Sequence, residues 1–114
     1  KNTWEVGMKM YGLRNCDSCR AALKALGAQG AVLVDVRDTP LDDATRARFL
    51  AQFGEGLVNR RSTTWRALSE EARAGDPAAL LAAHPALMKR PVIDAGPALY
   101  LGWDAGVRAA LGVA

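Results

Sequence analysis

The feature that most constrains the fold of this chain is a pair of short apolar segments on either side of an amphipathic helix pattern. Residues 8–12 form the first segment, and residues 31–36 form a second, nearly continuous apolar run. Between them the apolar residues recur at helical spacing, and they are Cys19, Ala22, Leu23 and Leu26. Two parallel strands need a crossover connection such as a helix, so the pattern predicts a β-α-β unit. The continuous run also predicts that both faces of the second strand are covered.

Three further helices are predicted in the middle of the chain. Their ranges are 42–53, 63–75 and 76–84. The second is expected to begin at a cap formed by Thr63 or Thr64. The third begins with Asp76 and Pro77, because aspartate caps helices and proline is tolerated at the first helical position.

The end of the chain predicts a hairpin and a last helix. Two apolar segments, residues 91–93 and 98–101, flank the turn residues 95–97, which indicates two antiparallel strands. Asp104 then caps a helix with an apolar face. The predicted order is β-α-β-α-α-α-β-β-α, an α/β fold with a mixed sheet.

Length and composition exclude several classes of protein. The chain has 114 residues, which is enough for one domain, predicted at residues 8–114, and residues 1–7 are left out of the fold prediction. Half of the residues are hydrophobic, 24% are charged and the net charge is +3, a balance that excludes a disordered chain. No apolar run reaches the roughly 18 to 20 residues that span a bilayer, and no secretory signal begins the chain. We therefore predict a cytoplasmic protein without a membrane segment.

Most of the positive charge comes from arginine, which supplies 11 of the 15 basic residues. Arginine binds oxyanions in bidentate fashion, so this composition indicates anion recognition or, alternatively, a general compositional bias. No run of like charges reaches the five or six residues typical of a nucleic-acid tail. Three tryptophans, two tyrosines and two phenylalanines offer little surface for base stacking, so direct nucleic-acid binding is not expected.

The two cysteines form one Cys-x-x-Cys motif, Cys16 and Cys19. A structural zinc site needs four ligands, and the remaining candidate is the lone His84, so no metal and no bound cofactor are expected. A structural disulfide would be unusual in a cytosolic chain and would close a very small loop. The motif therefore favours redox or nucleophilic chemistry.

The predicted helix start assigns each cysteine a role. Asp17 or Ser18 is the expected N-cap, which puts Cys16 just before the helix, where the positive end of the helix dipole stabilises a thiolate. Cys16 is the predicted nucleophile. Cys19 lies one turn further along the apolar face, either as a resolving thiol or as a small buried hydrophobic residue.

Residues around the motif are candidates for binding an anion. Arg14 and Arg20 flank the cysteines, and each is expected either to lower the thiol pKa, to attract an anionic thiol such as glutathione, or to lie in solvent. Asn15 either donates to a bound oxyanion or shapes the loop. Pro91 opens a strand, and a cis Arg90–Pro91 bond would turn Arg90 toward Cys16, whereas a trans edge-strand proline would leave it in solvent.

Four motifs resemble those of the arsenate reductase-related family that includes ArsC, Spx and YffB. They are Met10-Tyr11-Gly12 with Asn15-Cys16-Asp17-Ser18-Cys19-Arg20, Asn59-Arg60-Arg61-Ser62-Thr63-Thr64-Trp65-Arg66, Lys89-Arg90-Pro91-Val92, and Leu101-Gly102-Trp103. The resemblance implies a thioredoxin-like fold, with a helical insertion between a β-α-β half and a β-β-α half. In arsenate reductases of this family, the cysteine matching Cys16 attacks arsenate and an arginine matching Arg90 binds the oxyanion. Glutathione and glutaredoxin complete that reduction.

The chain departs from true arsenate reductases at two positions. Those enzymes use further arginines where this chain has Asn59 and Trp103, and Arg60 or Arg61 is the candidate replacement for the first. The second motif is closest to the YffB branch, which implies a glutathione-dependent thiol reductase. Glutathione is then the expected cosubstrate, and glutaredoxin a possible partner.

Two alternatives follow from the same resemblance. The Cys-x-x-Cys motif is similar to that of Spx, which implies a redox-sensing regulator that binds the α subunit of RNA polymerase. Arsenate reductase proper is the other alternative. The leading hypothesis is a thiol-disulfide oxidoreductase with Cys16, Cys19 and Arg90 as catalytic residues. Its expected substrate-binding residues are Asn15, Arg60, Arg61 and Pro91.

Overall fold

The computed structural model describes residues 7–113. Within them lie four strands and six α-helices: β1 Lys9–Gly12, α1 Asp17–Leu26, β2 Val32–Asp35, α2 Asp43–Phe53, α3 Thr63–Arg66, α4 Glu70–Arg73, α5 Pro77–Ala83, β3 Val92–Asp94, β4 Leu99–Leu101 and α6 Ala105–Ala110. Short 3₁₀ turns follow α1, α2 and α5. None of the helices in this part of the chain combines the length and the apolar character needed to cross a membrane.

The described residues divide into two compact units. The sheet unit comprises residues 7–35 and 90–113 and contains the four strands with α1 and α6. The helical unit is Val36–Lys89 and contains α2 to α5. The helical unit lies in sequence between β2 and β3, so the predicted connectivity of a β-α-β half, a helical insertion and a β-β-α half is confirmed.

The strands form one mixed sheet in the order β2-β1-β3-β4. β1 is parallel to β2, with Met10 opposite Leu33, and antiparallel to β3, with Met10 opposite Ile93. β3 and β4 form the predicted antiparallel hairpin. The β-α-β unit and the mixed sheet are therefore as predicted.

The prediction that β2 is covered on both faces is wrong at the start of the strand, where Val32 is exposed, whereas Leu33 and Val34 are half-buried. β2 is an edge strand of the four-stranded sheet, and Val32 at its start is 60% exposed. The apolar run 31–36 reflects strand propensity and partial burial rather than complete burial of both faces. The deepest residue of the strand is its acidic one, Asp35.

The core of the sheet unit joins α1 to the central strands. Met10 and Ile93, on neighbouring strands, are fully buried together with Ala22 and Leu26 of α1. Partly buried hydrophobic residues pack against them, among them Leu23, Tyr100, Trp103, Val107 and Leu111. Burial of a large apolar side chain stabilises the fold by about 1.5–3 kcal/mol, so this cluster fixes α1 on the sheet.

The helices α2 to α6 begin at caps formed by aspartate or serine side chains. The carboxylates of Asp42, Asp76 and Asp104 each accept the backbone N–H three residues further along, at 2.7, 3.2 and 2.9 Å. The starts predicted at Asp76 and Asp104 are confirmed, and Asp42 caps α2. Such a cap contributes about 1 kcal/mol to helix stability.

The single helix predicted over residues 63–75 is wrong, because two four-residue helices occupy that segment. The hydroxyl of Ser62, and not Thr63 or Thr64, caps α3 by accepting the N–H of Trp65. The hydroxyl of Ser69 accepts the N–H of Ala72 and begins a second helix at Glu70. A second capping residue inside the apolar period therefore divides the segment.

Candidate thiol active site

Cys16 is itself the N-cap of α1, so the predicted cap at Asp17 or Ser18 is wrong by one or two positions. Its backbone is extended (φ −99°, ψ 125°), and its carbonyl accepts the N–H of Arg20 at 2.9 Å as the first helical bond. The thiol therefore projects from the position where the unpaired N–H groups of a helix start converge.

A tight turn brings the chain from β1 to Cys16. The N–H of Cys16 donates to the carbonyl of Leu13 at 3.2 Å, which closes the turn over Arg14 and Asn15. Asn15 is an exposed residue of this turn. Both of its predicted roles, shaping this loop and donating to a bound oxyanion, stay predictions.

The environment of Cys16 favours its thiolate. Burial is the largest single influence and by itself raises the pKa of the thiol. The N–H of Cys19 and the side chain of Arg90 both donate to the sulfur and lower the pKa, and the Cys19 thiol and the charge of Arg90 lower it further. The net result is a Cys16 pKa below the ordinary value, with the sulfur still partly exposed.

Cys19 has the opposite character. Its side chain is fully buried, and burial raises the pKa of the thiol to about 11, although the N–H of Leu13 acts in the other direction. The neighbouring Cys16 sulfur raises it further. At neutral pH the motif therefore pairs one activated, reachable sulfur with one protonated, shielded sulfur in contact with it.

Arg90 and Pro91 lie immediately before β3. The bond between them is cis, as in the first of the two predicted alternatives, and Pro91 is buried. The carbonyl of Pro91 accepts the N–H of Gly102 at 2.8 Å, which ties this segment to the residue after β4. Arg90 is partly exposed, with its Nε atom buried, and its side chain hydrogen-bonds the Cys16 sulfur.

The two arginines that flank the motif have partners of their own. Arg20 donates to the carboxylate of Asp17 at 2.6 Å on the exposed face of α1. The backbone N–H of Arg14 donates to the carboxylate of Asp35 at 2.9 Å. Neither arginine is among the groups that shift the pKa of Cys16.

Arg60 and Arg61 belong to the helical unit, in the turn between the 3₁₀ segment Gly54–Leu57 and α3. Arg60 donates to Glu55 at 2.6 Å, and its guanidinium lies 5.4 Å from the ring centroid of Trp65. The N–H of Arg61 donates to the side chain of Asn59 at 3.0 Å, and Arg61 is exposed. Arg61 therefore has the more available guanidinium of the two.

The turn borders an open groove of the helical unit. Its lining includes Val58, Asn59, Arg60, Arg61 and Lys89. A short antiparallel bridge joins this turn to the segment before β3: the N–H of Asn59 donates to the carbonyl of Leu87 at 2.8 Å, and that of Lys89 donates to the carbonyl of Leu57 at 2.7 Å. His84 lies elsewhere, as the residue that ends α5.

Two residues at the site were missed by the sequence analysis. Gly12, the last residue of β1, lies so close to Cys19 that a Cβ atom on it would collide with the Cys19 sulfur. The signal was present, because a glycine at the end of a strand often marks a close approach. Asp35 was also missed, although it was the one acidic residue in the apolar run 31–36.

Comparison with known proteins identifies the family. Residues 11–110 match the sequence model of the ArsC family, which covers most of the chain. The chain belongs to the ArsC family. It is also 40% identical over 91 residues to an uncharacterized protein of Haemophilus influenzae, an alignment that covers 74% of this chain and 80% of the relative. The resemblance noted from the four motifs is thus confirmed.

Solved structures of ArsC relatives have the same fold. A YffB protein superposes with a TM-score of 0.81 at 28% identity, covering 90% of this chain and 96% of the relative. An arsenate reductase (ArsC) related protein from Brucella melitensis superposes with a TM-score of 0.69 at 32% identity, covering 94% and 96%. An arsenate reductase from Vibrio cholerae, at 18% identity and a TM-score of 0.71, shows the fold alone. The predicted thioredoxin-like fold is confirmed.

Proposed function

We propose that this ArsC-family protein is a thiol-disulfide oxidoreductase and that Cys16 is its nucleophile. The observation that carries the proposal is the environment of the Cys16 sulfur, which receives the N–H of Cys19 and the side chain of Arg90 and so has a lowered pKa. A thiolate, not a thiol, attacks disulfides. Family membership and the likeness to a YffB protein support the same class of chemistry.

The first step is attack of the Cys16 thiolate on one sulfur of a substrate disulfide. A new S–S bond forms to Cys16, the substrate S–S bond breaks, and the other half leaves as a thiolate that takes up a proton. Arg90 holds the attacking thiolate before this step. With glutathione mixed disulfides as substrates, the adduct is Cys16 bound to glutathione.

Two thiols are candidates to resolve this adduct. If the Cys19 thiol loses its proton and attacks, glutathione leaves and a Cys16–Cys19 disulfide forms, which two further glutathione molecules then reduce. If a second glutathione attacks instead, oxidised glutathione leaves and the Cys16 thiolate returns directly. In both routes the two electrons come from a pair of thiols that ends as a disulfide.

Glutathione is the proposed cosubstrate because it is an abundant anionic thiol of the cytoplasm, where we place this chain. Arg61 is the proposed contact for an anionic group, since its guanidinium is exposed, whereas Arg60 is bound to Glu55. Glutaredoxin is the proposed partner that reduces the adduct when glutathione alone is slow.

The test is glutathione-dependent reduction of a small mixed disulfide, followed through NADPH oxidation by added glutathione reductase. We expect Cys16→Ser to abolish turnover. Cys19→Ser is the matched variant: it keeps turnover if glutathione resolves the adduct, and it accumulates a Cys16 mixed disulfide if Cys19 does. Undiminished turnover in Cys16→Ser would refute the proposal.

Arsenate reduction proper is disfavoured by two positions. Asn59 and Trp103 stand where arsenate reductases of the family carry arginines, and Trp103 packs partly buried against the core of the sheet unit. An indole there offers an oxyanion no positive charge. With arsenate, glutathione and glutaredoxin supplied, we expect little NADPH oxidation.

A redox-switched binding protein is the second candidate. The observation that favours it is the direct contact of the two sulfurs, which makes a Cys16–Cys19 disulfide a short step. The partner implied by the likeness to Spx is the α subunit of RNA polymerase. Binding of purified α subunit by the oxidised protein alone, without disulfide reductase turnover, would favour this candidate over the enzyme.

A further inference from the structure

Asp35 is the one charged residue that the structure buries within residues 7–113. Its side chain is 3% exposed, and it lies at the end of β2, opposite Gly12 of β1 in the parallel ladder. A buried carboxylate is costly unless hydrogen-bond donors satisfy it. The groups that donate hydrogen bonds to Asp35 therefore indicate the role of this buried carboxylate.

Asp35 has a backbone hydrogen-bond partner and a weaker charged partner, both in Arg14. Its Oδ2 atom accepts the N–H of Arg14 at 2.9 Å, a good hydrogen-bond distance. The Arg14 guanidinium lies 3.9 Å from the same oxygen, and that side chain is 66% exposed. An exposed charge at this distance is screened by solvent, so the backbone bond is the stronger link.

Arg14 occupies the turn that presents Cys16. The residue before it, Leu13, accepts the N–H of Cys16 and donates its own N–H to the Cys19 sulfur. The hydrogen bond from Arg14 thus anchors the middle of the turn while Leu13 contacts both cysteines. Without that anchor, the turn would be held at one end by β1 and at the other by α1.

We propose that Asp35 is a positioning residue for the candidate nucleophile, fixing the Leu13–Cys16 turn through the N–H of Arg14. Held in this way, the Cys16 sulfur stays within reach of the N–H of Cys19 and of Arg90. Asp35 touches no substrate, and it acts through the backbone of the turn rather than through its charge. The inference rests on the proposed role of Cys16, but its effect on the thiol is measurable without any substrate.

The experiment compares Asp35→Ala, Asp35→Asn and Arg14→Ala on the reduced protein. The rate of iodoacetamide alkylation at Cys16 is followed site by site by mass spectrometry across pH. Asparagine keeps an oxygen that accepts the Arg14 N–H, whereas alanine removes it. Arg14→Ala keeps the N–H and removes the guanidinium.

We expect Asp35→Ala to slow Cys16 alkylation near pH 7 by about three- to tenfold and to raise its apparent pKa, because the hydrogen bond that anchors the turn is lost. Asp35→Asn and Arg14→Ala are expected to stay within about twofold of the unmodified protein. A lower melting temperature with an unchanged Cys16 pH profile would show a merely structural residue and overturn the proposal. An Arg14→Ala effect as large as that of Asp35→Ala would overturn it too, because the ion pair would then be decisive.

A measurement on the unaltered protein covers the case in which Asp35→Ala fails to fold. The amide of Arg14 is expected to exchange with deuterium far more slowly than a free loop amide, since it is hydrogen-bonded to a buried acceptor. Fast exchange at Arg14 would contradict the anchor. Neither Cys16 alkylation nor Arg14 amide exchange uses a disulfide substrate. Both measurements therefore test the role of Asp35 even if the protein has no reductase activity.

Discussion

Arg90 donates a side-chain hydrogen bond to the sulfur of Cys16, although one residue precedes β3 and the other caps α1. β1 and β3 are antiparallel neighbours, so the start of β3 and the end of β1 lie at the same end of the sheet. This relationship joins the Cys-x-x-Cys motif to the Lys89-Arg90-Pro91 motif in one site. It also makes the reactivity of Cys16 dependent on Arg90, a residue distant from Cys16 in the sequence.

Replacement of Arg90 tests this dependence. In Arg90→Gln the hydrogen bond is weakened and the positive charge is lost, so the pKa of Cys16 is expected to rise. Site-resolved alkylation near pH 7 should slow by about three- to tenfold, since one pKa unit changes the thiolate fraction about tenfold. Arg20→Gln is the matched control, because Arg20 pairs with Asp17 and should leave the rate unchanged. Equal rates in the two variants would contradict the assignment.

The two cysteines should titrate far apart. Thiolate forms as pH rises through each pKa, so Cys16 should become reactive below the ordinary thiol value of about 8.5. Cys19 should stay unreactive until the pH approaches about 11, because burial disfavours its thiolate. Alkylation against pH, resolved by peptide, checks this. In guanidinium chloride both sites should converge near the ordinary value, and separate profiles there would point to a local sequence effect instead.

Gly12 should not tolerate a larger residue. An added Cβ would collide with the sulfur of Cys19, so we expect Gly12→Ala to lower the free energy of unfolding by about 1–3 kcal/mol. Gly27→Ala is the control, because nothing lies within 4 Å of a Cβ there and its backbone is helical, and its effect should stay within about 1 kcal/mol. Urea denaturation measures both.

A double variant tests whether an added Cβ at position 12 collides with the Cys19 sulfur. Cys19→Ala removes the sulfur, so the double variant with Gly12→Ala should lose less stability than the two single changes together. Strict additivity would show that the cost of Gly12→Ala arises elsewhere.

Arg61 should matter more than Arg60 for an anionic disulfide substrate. Arg61 is exposed, whereas Arg60 donates to Glu55 and stacks over Trp65. We expect Arg61→Gln to raise KM several-fold with little change in kcat, because it removes binding that is equal in the ground and transition states. Steady-state kinetics of both variants decide this. A larger KM effect in Arg60→Gln would reverse the assignment.

Local signals account for what the sequence predicted well. Asp76 and Asp104 cap helices because an aspartate oxygen reaches the N–H three residues on, an interaction contained within one turn of chain. The same locality explains two errors. Cys16, not Asp17 or Ser18, is the N-cap of α1, and the apolar period over residues 65–72 concealed the second cap at Ser69.

Local sequence signals could not predict that β2 is an edge strand. An apolar run is compatible with a central strand or with a partly exposed one, and pairing on one side or both is decided by where the other strands lie. Once β3 pairs with β1, β2 remains at the edge of the four-stranded sheet.

By itself, the sequence determined the order of the four strands, the helical segment between β2 and β3, and the place of Cys16 at the start of α1, because periodicity, caps and turns act over a few residues. Tertiary structure alone decided that Arg90 contacts the Cys16 sulfur, that Gly12 packs against Cys19, and that Asp35 is buried and binds the turn before the motif. Each of these contacts joins different elements of the sheet unit. They exist because the core of Met10, Ala22, Leu26 and Ile93 brings β1, α1 and β3 together. The spacing of residues along the sequence does not predict which elements share that core.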